Sequence, residues 1–163
     1  MEELKISIST ITYYKKEDIR ILNACLSNWL SDPKILHFTS PDMTYPFNLK
    51  RWISLSYKEK INKTIIIKVD DWIVGHLSIK YEEDRKSAHL FHLIIDSGHL
   101  RKGLAKKLIT FAEDIIKKDK INRITINVVR KNLIALQLYN SLGYSDTGKN
   151  RFGSIKMEKF LIN

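Results

Sequence analysis

Two stretches of the chain combine residue types whose spacing suits them to chemistry. The first, GHLRKGLAKKLITFAED at residues 98–114, sets Gly103 inside a basic run, places Ala105 two positions later and continues with helical periodicity. A strand entering such a turn and then a helix start aims several unpaired backbone N–H groups at one point, and the helix dipole adds partial positive charge there. That arrangement suits a phosphate group. Gly103 and Ala105 are small enough to let an anion approach the backbone, while Arg101, Lys102, Lys106 and Lys107 add long-range attraction. An ordinary cationic helix entrance has the same composition, so the stretch alone leaves both readings open. The patterns GxxxxGK[ST] and GxGxxG are absent, which removes the commonest nucleotide-binding motifs.

The second stretch, NLIALQLYNSLGY, begins 29 residues after Gly103. In a helix starting at Asn132, residues Ala135, Leu138, Tyr139 and Leu142 share one face. Asn132 is a good N-cap, and Gly143 can take the left-handed conformation just past the C-terminus. Taken singly, Tyr139 reads first as a core tyrosine with a satisfied hydroxyl. The two stretches with a strand between them form a compound pattern that chance rarely supplies.

The elements around them follow from periodicity. LKISISTITYY (residues 4–14) alternates as a strand, and residues 16–30 suit a helix stopped near Pro33. Residues 34–47 read as an irregular, partly helical flap. NLKRWISLSYKEK reads as a helix with Trp52, Ile53 and Leu55 or Tyr57 inward. KTIIIKV, DDWIVGHLSIKY and SAHLFHLIID read as a meander of three strands. A helix over 103–118, the buried strand RITINVV, the helix from Asn132 and two late strands near 144–149 and 152–161 complete the chain. The fold class is therefore α/β with a mixed sheet. It is antiparallel in its middle, with a parallel pair around the βαβ unit from 88 to 129.

With 163 residues, 44% of them hydrophobic, the chain suits one domain over 1–163. No run approaches the roughly 18 apolar residues of a membrane span, and MEELKISIST lacks a signal-peptide pattern, so a cytoplasmic protein is expected. Cys25 is the sole cysteine, and the five histidines lack metal-site spacing, so no metal is expected. The net charge of +10 comes from 21 lysines and only 7 arginines, spread over the chain without an arginine patch or an RNA-binding motif. Nucleic acid is therefore a poor fit as a partner.

The sequence resembles the GNAT superfamily of acetyl-CoA-dependent N-acetyltransferases. The family's first signature, a hydrophobic strand followed by [QR]xxGx[GA] at a helix start, is matched by LIIDSGHLRKGLA, with Leu100 in place of the usual Gln or Arg. The second, VxxxNxxAxxLYxxxG[FY], is matched throughout by Val128, Asn132, Ala135, Leu138, Tyr139, Gly143 and Tyr144. The resemblance implies about seven mostly antiparallel strands with a splayed parallel pair, flanked by about four helices. It also implies acetyl-CoA as co-substrate and an amine as acceptor, and it allows a homodimer.

What the resemblance implies for individual residues follows the motifs. The turn comprising Leu100, Arg101, Lys102, Gly103, Leu104, Ala105 and Lys106 would hold the diphosphate, with Asn132 on the pantetheine or adenosine half. Leu93 and Ile95 would pair with the pantetheine arm, and an N–H near Ile94 or Ile95 would polarise the thioester carbonyl. Tyr139 matches the position of a hydroxyl that protonates the leaving thiolate. Counting back six from Ile95 reaches His89, where some relatives carry a catalytic glutamate; Glu82, Glu83 and His92 are the other candidates for a base. The alternative is an acyl-CoA-binding sensor module of the same fold without catalysis.

Overall fold

The computed structural model describes residues 3–59, 61–84, 86–151 and 153–162. The expectations at Lys60, Arg85 and Phe152 lie outside these residues. Strand β1 (Ile6–Ile11) is followed by helices α1 (Lys16–Trp29), α2 (Pro33–Thr39) and α3 (Leu49–Ser56), then by β2 (Asn62–Val69), β3 (Trp72–Tyr81) and β4 (Ser87–Ile95). Helix α4 (Leu104–Lys118), β5 (Arg123–Val129), α5 (Leu133–Ser141), β6 (Ser145–Asp146) and β7 (Ser154–Phe160) complete the order. The seven strands form one sheet in the order β1-β2-β3-β4-β5-β7-β6, antiparallel except for the parallel pair β4–β5.

Hydrophobic side chains leave the sheet on both faces, and each face has its own core. On one face Leu104, Leu108, Ile109, Ala112 and Ile116 of α4 pack on Ile65, Ile67, Leu77, Leu90 and Ile126, with Tyr139 and Tyr144 at the margin. Gly75 permits this approach: a Cβ there would stand 2.6 Å from Ile67 Cγ2 and 2.8 Å from Ile95 Cδ1. On the other face Leu22, Leu26 and Trp29 of α1 gather with Leu36, Trp52, Tyr57 and Ile94.

The expected architecture is present, with local differences. Among the described residues five α-helices flank the sheet, one more than expected, because the segment read as a partly helical flap contains α2. Its start is built by Asp32, whose carboxylate accepts from the N–H groups of Lys34 and Ile35, with Pro33 at the first helical position. The proline that stops α1 thus also starts α2. Around α3, Tyr57 is buried and Leu55 is exposed, which settles that alternative. The late strand expected over 144–149 shortens to two residues. No helix among the described residues is long and apolar enough to cross a membrane.

Candidate active site

The parallel pair β4–β5 is in register from Ser87↔Arg123 to Leu90↔Ile126 and then stops. Beyond Leu90 the β5-facing backbone groups of β4 have no ladder partner. The strands part at a β-bulge in β4. His76 pairs with Ile94 and Ser78 with Phe91, so two steps along β3 oppose three along β4. His92 takes a left-handed φ of +55° within this irregularity. The extra residue breaks the alternation of side chains. Leu90, Leu93 and Ile95 pack toward the α4 face, whereas Phe91, His92 and Ile94 all turn to the face of α1 to α3.

The gap opens into a cleft of about 1310 Å³. Phe91, His92 and Leu93 form one wall and Ile126, Asn127 and Val128 the other, while α5 contributes Asn132, Ala135 and Tyr139. The end of α2 and the C-terminal half of α3 border its other half. Of the expected site residues, His89, Leu93, Asn132 and Tyr139 line this cleft. Ile94 is buried in the smaller core and Ile95 packs on the larger one, so neither side chain reaches it. Glu82 and Glu83 border a neighbouring pocket of about 550 Å³ beside Lys80 and Lys156.

Tyr139 is 2% exposed, and burial raises its phenol well above the usual range. Its ring meets Tyr144 edge-on at 5.6 Å. No buried side-chain polar atom among the described residues lacks a partner, and the Tyr139 hydroxyl makes no hydrogen bond with them, so it opens onto the cleft. It is a protonated donor without a structural commitment. Asn132 caps α5 by accepting from the Ala135 N–H at 3.3 Å, which leaves its amide NH₂ for a ligand.

His89 Nδ1 lies 2.8 Å from Thr125 Oγ1. Burial, then Lys156 and Lys80, lowers its pKa to about 4. His92 is lowered well below its usual value by burial, then by His76 and His89. Both rings are therefore neutral at pH 7, each with a lone pair, and are weaker bases than an exposed imidazole. His92 stacks on Trp52 at 3.7 Å, and its Nδ1 lies 2.7 Å from the Tyr57 hydroxyl, which leaves Nε2 toward the cleft that the residue lines. Tyr57 continues to Ser78 Oγ at 2.8 Å and Ser78 to Thr64 Oγ1 at 2.9 Å.

The basic turn lies beyond the cleft, past the C-terminal end of β4. A 3-10 turn at Ser97–His99 leads into it, Arg101 is left-handed with φ +64°, and Gly103 with φ +73° is the N-cap of α4. Because glycine supplies no capping side chain, the first N–H groups of α4 are left for a ligand. A Cβ at Gly103 would meet nothing within 4 Å. Leu104 is buried, so only its backbone can contribute, while Leu100, Arg101, Lys102 and Lys106 are exposed and Ala105 is partly so.

Sequence reasoning missed the polar network of Tyr13, Trp52, Tyr57, His76, Ser78 and Thr64 behind the bulge. Its members come from β1's end, α3, β2 and β3, and no local spacing joins them. The adjacent Phe91 and His92 in an otherwise alternating strand were the one available signal.

The acetyltransferase (GNAT) family model matches residues 24–144 of the chain. Human N-acetyltransferase 8 is 27% identical over 101 residues, which is 62% of this chain and 40% of that protein. The chain thus spans less than half the length of that curated relative. Among solved structures, a domain from Methanocaldococcus jannaschii superposes with a TM-score of 0.80 at 20% identity, covering 98% of this chain and 100% of that one. The PaiA N-acetyltransferase from Thermoplasma acidophilum, in complex with coenzyme A, gives 0.71 at 19% identity, over 96% and 99% of the two chains. Both share the fold.

Proposed function

Since the chain belongs to the acetyltransferase (GNAT) family, we propose that it transfers an acetyl group from acetyl-CoA to a primary amine of a small molecule or peptide, directly within a ternary complex. The observation that carries this is the cleft where β4 and β5 part, lined by a free tyrosine hydroxyl and neutral imidazoles. The unpaired edge of β4 around Leu93 suits the amide groups of a pantetheine arm, which would add to it as a strand does. N–H groups near Ile94 and Ile95 on that edge polarise the thioester carbonyl. The uncapped start of α4 and the Arg101–Lys106 turn hold the diphosphate, and the Leu100 substitution is tolerated because the donors are backbone groups.

Tyr139 donates to the sulfur as the thiolate leaves, and this charge-assisted hydrogen bond strengthens as charge develops. The amine must attack as the free base. His89 accepts its proton, directly or through water, with His92 the nearest competitor on the same wall. In water such amines hold their protons near the lysine range, so expulsion of water and the lysines around the site must favour the neutral form.

The assay is release of free thiol from acetyl-CoA in the presence of polyamines, aminoglycosides, amino acids and N-terminal peptides. Acceptor-dependent release is the expected result. Binding of acetyl-CoA without release across the panel points instead to an acyl-CoA sensor, and absence of binding removes both. Gly103→Asn tests the cradle. Asparagine tolerates left-handed backbone, so folding should lose no more than about 1 kcal/mol. Its side chain fills the open space beside the helix start, and acetyl-CoA affinity should fall about tenfold or more in calorimetry. Unchanged affinity would place the diphosphate elsewhere.

A further inference from the structure

The bulge in β4 turns the backbone of His92 out of the regular ladder, and a carbonyl released in this way needs another donor. The His92 carbonyl accepts a hydrogen bond at 2.7 Å from Nδ1 of His76, a wholly buried side chain of β3. Because a carbonyl only accepts, the proton of His76 is on Nδ1 and the lone pair is on Nε2. The Tyr13 hydroxyl therefore donates to Nε2, at 2.8 Å, and its oxygen accepts from Trp52 Nε1–H at 3.0 Å. Every proton in this chain has one direction.

Left-handed backbone at a residue other than glycine persists only where the surroundings impose it. The His92 ring is held by the Trp52 stack and by Tyr57, and both contacts act on the side chain. Among the hydrogen bonds of its neighbourhood, the one from His76 is the side-chain contact that grips the backbone. Neither His76 nor Tyr13 lines the cleft, so neither touches a ligand there.

We propose that His76 is a positioning residue whose Nδ1–H clamps the His92 carbonyl, fixing the bulge where β4 and β5 part and keeping the backbone after His92 aimed into the cleft. The proposal rests on the acetyltransferase reading above. Histidine suits the task because it donates to the bulge and accepts from Tyr13 at once, so the tautomer is locked by its partners. The lock also ties the bulge to α3, which borders the other half of the cleft.

Acetyl-CoA and free coenzyme A differ at the thioester carbonyl that the bulge would receive, so the ratio of their affinities reads the clamp. Calorimetry on the wild-type protein and on His76→Leu should show the preference for acetyl-CoA falling about fivefold, the worth of one hydrogen bond. Affinity for free coenzyme A should change by less than about twofold, since its other contacts lie away from the bulge. His76→Asn keeps an N–H close to the Nδ1 position and should retain most of the preference. His76→Gln, whose amide reaches the Nε2 position instead, should lose it, and it replaces the leucine variant if that one does not fold.

An unchanged ratio in a folded leucine or glutamine variant overturns the clamp, as does an equal loss in the asparagine variant. If the wild-type protein binds neither ligand, the acetyltransferase reading fails and takes the clamp with it. Binding of both ligands with an insensitive ratio rejects the clamp alone.

Discussion

Replacing Tyr139 with phenylalanine is expected to lower kcat about a hundredfold while acetyl-CoA affinity changes by less than about twofold, because losing one positioned hydrogen-bond donor to developing charge costs about 10²–10³ in rate. The ring is used by the fold: it is buried beside Tyr144 and joins the larger core. The hydroxyl is not, since it makes no hydrogen bond with the described residues and opens onto the cleft. Phenylalanine keeps the ring and removes only the donor. The melting temperature should therefore move by no more than a few degrees, and the loss should appear in kcat rather than in coenzyme binding.

The direction of the Tyr139 pKa refines its role. Burial raises the phenol well above 10, whereas a thiol ordinarily titrates near 8.5. The hydroxyl is therefore a weaker acid than the departing thiol. It serves as a hydrogen-bond donor to sulfur as negative charge develops there, and the thiolate takes its proton from solvent once the products separate. Steady-state thiol release on both proteins, with calorimetric titration of acetyl-CoA, distinguishes the outcomes. A phenylalanine variant with wild-type kcat removes Tyr139 from the chemistry.

The parts legible in the sequence were those coded by local signals. Gly103, Asn132 and Gly143 mark element ends that the backbone then obeys, and the βαβ unit follows from a buried β-branched strand after an amphipathic helix. Helix α2 was hidden because Pro33 terminates one helix and opens the next, and only the Asp32 cap separates the two meanings. The acceptor side of the cleft was illegible for a different reason. It is assembled from α2, α3, β3 and β7, and the contacts between them depend on register. The bulge illustrates this best. One inserted residue moves His92 from the α4 face to the face of Trp52 and Tyr57, and nothing in SAHLFHLII states on which side of that insertion the histidine falls.

The same buried histidines make the fold acid-labile in a defined window. The His76 pKa is held at about 4 by burial, only partly offset by its bond to the His92 carbonyl, and His92 lies well below its usual value. In the unfolded chain both titrate near 6.5. Between these limits the unfolded state binds more protons than the folded one, so stability is complete above pH 6.5 and is lost as pH falls toward 4. The groups facing the two rings are Trp52, Tyr13, Tyr57 and Phe91, with His89 nearby and Lys80 and Lys156 around it; among the described residues no carboxylate hydrogen-bonds to either ring to favour its charged form. From pH 7.5 to 5 His76 should remove about 2 kcal/mol, with His92 acting in the same direction, which lowers the melting temperature by at least about 4 °C. His89, lowered to about 4 as well, acts in the same direction. Urea unfolding followed over this range should show stability falling as pH falls, with a slope near pH 5 smaller by about one proton in His76→Asn. A stability that stays level between pH 7.5 and 5 would mean that these rings titrate alike in the folded and unfolded protein, and the acid-lability assigned to their burial would be overturned.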